Sequence, residues 1–333
     1  MSDLAGVVLF LGVTLYAVFG GADFGAGFWD LTAGGVDRGR RPRGLIDQAI
    51  GPVWEANHVW LIFCLVVLWT SFPGAFASIM ETLYVPLAVA AVGIVARGAG
   101  FAFGKVSETL TQQRLYGVAF AVSSLITPFF LGAVAGGIAS GRVPADGAGG
   151  PIASWVNPTS MLGGTLAVIV CAYLAAVFLV ADSNRRGLRD LERYFRARAV
   201  GAGLLAGVVA VAGIWVLRGD APRLFHHLIG VALPLVVLSG LCGLGALAVL
   251  GRGAPRAGRP LAAAAVAAVV GGWGVAQYPF LLGTHLSLGA GAAPDATLRI
   301  VVAIFLVAAV TCVPSLVYLY TLGERGRLDG TSL

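Results

Sequence analysis

The feature that most constrains the fold is a series of nine apolar segments, each long enough to cross a membrane. A membrane-spanning helix needs about 20 mostly apolar residues. Only 11% of the residues are charged, far fewer than soluble domains carry. We therefore expect an all-α polytopic membrane protein, with residues 1–333 forming one integral-membrane domain. The expected spans are about 4–24, 53–72, 76–97, 116–138, 159–181, 199–217, 227–250, 261–282 and 298–320.

The first segment is expected to be a retained span. A cleavable signal peptide begins with a positively charged region, and Met1-Ser2-Asp3 carries no cationic side chain before the apolar run starts.

The cationic residues are distributed unevenly over the loops between these spans. Eighteen lie after spans one, three, five and seven or in the C-terminal segment, and four lie in the remaining loops. The positive-inside rule then predicts an outside N-terminus and a cytoplasmic C-terminus, and the alternation supports an odd number of spans. Since the charges are scattered in short loops, no basic domain for nucleic-acid binding is expected. The four are Arg142, Arg218, Arg223 and Arg299; the eighteen are Arg38, Arg40, Arg41, Arg43, Arg97, Lys105, Arg114, Arg185, Arg186, Arg189, Arg193, Arg196, Arg198, Arg252, Arg256, Arg259, Arg325 and Arg327.

The second expected span begins with a dense cluster of polar and aromatic side chains. An ionisable residue at the end of a membrane helix is costly and often marks a pathway. Trp54 and Trp60 flank the cluster, and their indole rings are expected to shield it from lipid. At helical spacing, Glu55 and His58 share one face, and Trp54, Asn57 and Trp60 share a neighbouring face.

Two more charged residues are expected at the membrane depth of Glu55. Asp23 lies in a glycine-rich stretch at the inner end of span one, and Arg97 lies at the inner end of span three. Arg97 is positioned to pair with either acid, which would lower the cost of holding both below the interface. Two interpretations stay open from the spacing alone: a proton entry route from the cytoplasm, and a structural ion-pair clasp. Asp182 is expected to form an ordinary interfacial salt bridge.

The chain carries no motif for a bound nucleotide or metal, and no Ser/His/Asp triad. An axial haem ligand is usually a histidine well inside a span. His58 is the nearest candidate, only about a turn and a half into its helix. Any redox centre is therefore expected in another chain. The remaining histidines are His226, His227 and His285. The four cysteines, Cys64, Cys171, Cys242 and Cys312, lie in different expected spans, and no disulfide is expected between them.

Three motifs together resemble a known family. They are Gly21-Ala-Asp23-Phe-Gly25-Ala-Gly27, then Gly51-Pro-Val-Trp54-Glu55-Ala-Asn57-His-Val-Trp60-Leu, and finally Arg97-Gly-Ala-Gly-Phe. In this order and spacing they are similar to subunit II of the cytochrome bd-type quinol oxidases, and the second motif is the most specific. The clear resemblance covers about residues 10–105, with weaker similarity at Gln277-Tyr278-Pro279 and Ala293-Pro294.

The resemblance implies a haem-free subunit of a respiratory complex in the bacterial cell membrane. Such a complex oxidises membrane quinol, reduces O2 to water and generates a proton gradient. Haem b and haem d are carried by subunit I, small accessory subunits occur, and some members hold a quinone in subunit II. An acid at the position of Glu55 is implicated in carrying cytoplasmic protons, with Asp23 and Arg97 in support. Many members have Asp at that position, so the Glu here is one methylene longer.

Two other functions compete with this one. In the first, the chain is a purely structural partner whose polar cluster fastens helices together. In the second, it is a stand-alone proton-coupled transporter, which would need a substrate site at mid-membrane, formed by broken helices. The candidate acids lie near helix ends, which disfavours the transporter.

Overall fold

The structure is a computed structural model that describes residues 1–50, 54–107 and 109–324. Within these residues the chain forms twelve helices and one short antiparallel hairpin. The helices are α1 (Ser2–Leu31), α2 (Val36–Ile50), α3 (Trp54–Ser71), α4 (Pro73–Thr82), α5 (Tyr84–Val106), α6 (Leu110–Ala139), α7 (Pro158–Arg185), α8 (Arg189–Asp220), α9 (Pro222–Ile229), α10 (Leu233–Gly251), α11 (Pro255–Gln277) and α12 (Asp295–Glu324), and the strands are β1 (Phe280–Leu282) and β2 (Leu286–Ser287).

Eight helices of the described chain are long and apolar enough to cross a membrane: α1, α5, α6, α7, α8, α10, α11 and α12. A ninth candidate is the pair α2 and α3, whose axes are inclined by 58°. Residues 51–53, at the start of the second expected span, lie outside the described residues. The expectation of an all-α polytopic protein is confirmed. Which end of the bundle faces the cytoplasm stays a prediction.

The third expected span, 76–97, begins too early in the chain. The structure places a separate short helix, α4, before α5, and the two meet at Leu83. Pro86 explains the break, because a proline has no N–H to donate to the carbonyl of Thr82 four residues earlier. The span itself is therefore α5.

The seventh and eighth expected spans also have different limits. His226 and His227 lie in the short helix α9, and the seventh span begins only at Leu233. The eighth ends at Gln277 rather than 282, because the residue before Pro279 is disfavoured in a helical conformation. The chain then enters the β1–β2 hairpin.

The loop after the first span contains a helix that the apolar pattern did not predict. In α2, four arginines accompany two buried apolar side chains, Leu45 and Ile46, which join the main core cluster. An amphipathic helix of this kind lies along an interface with its apolar side inward.

The core is built around α7, which packs against α1, α6, α8 and α11. Its residues from Cys171 to Val177 are all buried, as is typical of a helix that is apolar on every side. By contrast, only 6% of the apolar window of α8, and of α12, is buried inside the chain. These two helices therefore offer most of their surface to lipid or to another subunit.

Polar contacts at each end of the bundle join loops that should lie on the same side of the membrane if successive spans cross it in alternating directions. At the cation-rich end, Arg43 pairs with Asp30, and Asp182 pairs with Arg185 at 3.2 Å and with Arg259 at 2.6 Å. The expected salt bridge of Asp182 is thus present. At the opposite end, the Asp220 carboxylate accepts two hydrogen bonds from Arg142, at 3.0 and 2.6 Å, and two from Thr159.

Candidate functional site

The site is centred on Arg97, a charged side chain buried among membrane helices with only 1% of the residue exposed. Its guanidinium donates to the main-chain carbonyl oxygen of Asp23 at 2.8 Å and to the hydroxyl of Ser124. The rings of Phe120 and Phe24 lie 4.4 and 5.0 Å from the guanidinium carbon Cζ. Such cation–π contacts are strongest where water is excluded. Arg97 therefore fastens α5 to both α1 and α6.

The carboxylate of Asp23 is the second buried polar group of the site. Asp23 is 4% exposed, and its Oδ2 accepts a hydrogen bond of 2.8 Å from the amide of Asn57, which is 3% exposed. A buried charge requires such partners, and the neighbouring guanidinium of Arg97 supplies the opposite charge. Asp23 is thus a buried acid in a polar pocket rather than an interfacial acid facing water.

The glycines around Asp23 allow its helix to approach two neighbours closely. A Cβ added at Gly25 would overlap the main-chain carbonyl of Cys171 in α7, and one at Gly27 would overlap the side chain of Ser124 in α6. Small residues permit this approach of membrane helices. The glycine-rich stretch therefore sets the depth at which Asp23 meets Arg97.

Glu55 lies in the first turn of α3 and is exposed in this chain. Two residues further along, Asn57 points in the opposite direction, into the bundle. Trp54 packs on Phe101 with ring centroids 5.1 Å apart, and the ring nitrogen Nδ1 of His58 lies 2.8 Å from the carbonyl oxygen of Trp54. The start of α3 therefore presents an acid outward and an amide inward.

The structure brings together only some of the side chains that the sequence grouped. Asp23, Asn57 and Arg97 form one buried cluster, whereas Glu55 lies outside it. Arg97 contacts the main chain of Asp23, and no ion pair among the described residues joins it to Glu55. Trp54, His58 and Trp60 are half-buried around the start of α3, with Trp60 packed against Phe63 at 6.0 Å.

Sequence reasoning missed three partners of Arg97, namely Ser124, Phe24 and Phe120. A usable signal was present in α6, where Ser123, Ser124 and Thr127 interrupt an otherwise apolar span at helical spacing. All three are buried. Buried polar residues in a membrane helix indicate a polar neighbour, which for Ser124 is Arg97.

The histidines and cysteines are placed as follows. Within the described residues, no group of three or more His, Cys, Asp or Glu side chains could hold a metal ion. The Nδ1 atom of His227 lies 2.8 Å from the carbonyl oxygen of Ala276, so that ring nitrogen already has a partner. All four cysteines are free thiols.

Comparisons with known proteins agree with the resemblance seen in the motifs. A family described as cytochrome bd terminal oxidase subunit II matches residues 1–322. Cytochrome bd ubiquinol oxidase subunit 2 of Bacillus subtilis (strain 168) is 27% identical over 238 residues, which are 71% of this chain and 67% of that protein. Cytochrome bd-I ubiquinol oxidase subunit 2 of Escherichia coli (strain K12) is 27% identical over 221 residues, 63% of this chain and 56% of that protein.

A solved structure shares the fold. A chain in the structure of bd oxidase from Geobacillus thermodenitrificans aligns with a TM-score of 0.79 and 26% sequence identity, and the alignment covers 96% of this chain and 98% of that one. The family match and the candidate spans together show a multi-pass bacterial membrane protein. Since the match runs through every membrane span described above, this chain belongs to the cytochrome bd terminal oxidase subunit II family.

Proposed function

We propose that this chain is the haem-free subunit II of a bd-type quinol:O2 oxidoreductase. In this proposal the whole chain is one integral-membrane domain that supports a haem-bearing subunit I. It also supplies part of a proton route from the cytoplasm, with Glu55 as the relay and Asp23 as the second acid. The relatives named as ubiquinol oxidase subunits support the complex and its substrate class.

The observation that carries the proton route is the arrangement at the start of α3. Glu55 is exposed in the isolated chain, while Asn57 on the same helix is anchored to the buried Asp23. The carboxyl group of Glu55 is therefore free to meet water or a partner surface, and the buried hydrogen bond fixes the helix that carries it. A relay needs both features, because it exchanges protons at one defined position.

The chemistry of the relay is a simple proton exchange. The Glu55 carboxylate takes a proton from water at the cation-rich end of the bundle, and the resulting carboxylic acid gives it to an acceptor in the partner subunit. Haem b and haem d, carried by subunit I, would supply the electron transfer and the reduction of O2. Arg97 and Asn57 act as positioning residues, since both hold Asp23 and neither is free to move a proton.

The structural clasp is the second candidate, and one observation favours it. Arg97 bonds to a main-chain carbonyl and a serine hydroxyl, so its contacts fasten three helices together without involving Glu55. If the cluster is only a structural clasp, neutralising Glu55 leaves turnover unchanged. If Glu55 is the proton relay, neutralising it lowers turnover.

Membership of the complex is tested by purifying it through a tag on this chain and recording a reduced-minus-oxidised optical spectrum. The proposal predicts haem b and haem d bands in stoichiometric amounts with this chain. A colourless single-chain preparation would contradict the oxidase assignment and favour a stand-alone transporter.

A further inference from the structure

A basic cavity lies between α2 and the start of α8, away from the Asp23–Arg97 cluster. Its volume is about 620 Å³. Its lining combines the side chains of Arg40 and Arg41 with the carboxylate of Asp37, and it also includes the apolar residues Leu45, Leu188 and Leu191. A second cavity, of about 290 Å³, lies along the start of α8 and is lined by Asn184, Arg189, Glu192, Arg193 and Arg196.

Several of these arginines are not neutralised by the chain itself. Arg41 pairs with Asp190, and Arg196 pairs with Glu192. By contrast, Arg40, Arg189 and Arg193 are exposed, and within the described part of the chain no hydrogen bond or ion pair engages their guanidinium groups. The second cavity, with three arginines and one glutamate, therefore carries an excess of positive charge.

The position of the cavities points to a ligand with an apolar tail. Because α8 turns by about 100° per residue, Leu204 and Val211 lie within about 20° of Arg193 around the helix axis. Both are exposed, Leu204 by 56% and Val211 by 63%, and only 6% of the apolar window of α8 is buried. A molecule whose anionic group contacts Arg193 would thus lie beside an apolar helix face that runs into the membrane.

Arg189 and Arg193 are one helical turn apart and line the same cavity. We propose that this surface binds an anionic phospholipid, with its phosphate group between Arg189 and Arg193 and its acyl chains along the exposed face of α8. Guanidinium groups bind phosphate oxygens through paired, charge-assisted hydrogen bonds. Basic pockets at membrane-helix ends recognise anionic headgroups in this way. A free phosphate ion would satisfy the arginines but would leave the apolar face of α8 unused.

Lipid binding is measured by native mass spectrometry of the intact complex in a neutral detergent, titrated with phosphatidylglycerol or phosphatidylcholine. The test variant is Arg189→Gln with Arg193→Gln. A matched control is Arg252→Gln with Arg256→Gln, which removes two exposed arginines where α10 ends and α11 begins. The variant Arg189→Lys with Arg193→Lys keeps both charges and shows whether the fold tolerates substitution here.

The expected result is a dissociation constant for phosphatidylglycerol roughly thirtyfold higher in the test variant, the factor that corresponds to about 1 kcal/mol per arginine. The control and the lysine variant should stay within about threefold of the unsubstituted chain, and phosphatidylcholine should bind weakly to all. Equal losses of phosphatidylglycerol affinity in the test and control variants would contradict the proposal, because they would show that the overall positive charge attracts the lipid without a defined site. Displacement of the lipid by inorganic phosphate at equal concentration would overturn the lipid as occupant.

Discussion

Replacement of Arg97 by methionine tests the physical account of the buried site. The change removes hydrogen bonds to the Asp23 carbonyl and the Ser124 hydroxyl. Hydrogen bonds from a charged donor contribute about 1.5–3 kcal/mol each. Removing the charge also relieves the cost of burying the guanidinium, but it leaves the Asp23 carboxylate without its neighbouring cation. Breaking one side of a buried charge pair costs about 3–5 kcal/mol, which is the expected loss in the free energy of unfolding.

The assay is unfolding of the purified chain in mixed micelles by a denaturing detergent, compared with Arg252→Met as an exposed control. The double variant Arg97→Met with Asp23→Asn should recover about 0.5–3 kcal/mol of that loss, because the neutral amide no longer needs a cation. If Arg97→Met costs no more than Arg252→Met, the guanidinium does not hold the helices together. If the double variant recovers nothing, the charge of Asp23 is not what Arg97 balances.

Two further substitutions, each with a control, test the close packing of α1 on α7 and the Arg142–Asp220 ion pair. Gly25→Ala should prevent normal assembly or cost more than about 3 kcal/mol in the same assay, since the added methyl overlaps the main chain of α7. Its control, Gly117→Ala, lies in a helix with open space around it and should be neutral or slightly stabilising. Asp220→Ala should cost about 2–3 kcal/mol, because it leaves the guanidinium of Arg142 without its two hydrogen bonds. Asp190→Ala breaks an exposed pair and should cost no more than about 1 kcal/mol.

The membrane class and eight of the nine expected spans were predictable because a spanning helix must be both apolar and long. The residues at which the helices begin and end were less predictable. Apolarity continues through Leu83 and Phe280, but backbone chemistry at Pro86 and Pro279 decides where a helix begins or ends. The helix α2 escaped prediction for the opposite reason, since its polar composition hides an apolar side.

The candidate site was predictable in its charged residues and not in its neutral ones. Topology alone placed Asp23 and Arg97 at one depth, and the structure brings them together. Helical spacing could not show that Asn57 faces inward and Glu55 outward, because that depends on which neighbour α3 packs against. Ser124 was missed because a single hydroxyl in a membrane helix often bonds only to its own backbone, as Ser124 also does with the carbonyl of Phe120.

The measurement that tests the proton route most directly is quinol-driven O2 uptake by the assembled complex carrying Glu55→Gln. This change keeps the size of the side chain and removes its ability to exchange a proton. Glu81→Gln, at an exposed position in α4, serves as the matched control. The proposal predicts that Glu55→Gln loses most of its turnover with haem content unchanged, that Glu55→Asp retains most of it, and that Glu81→Gln is unaffected. Full turnover in Glu55→Gln would contradict the relay and leave the polar cluster as a structural clasp.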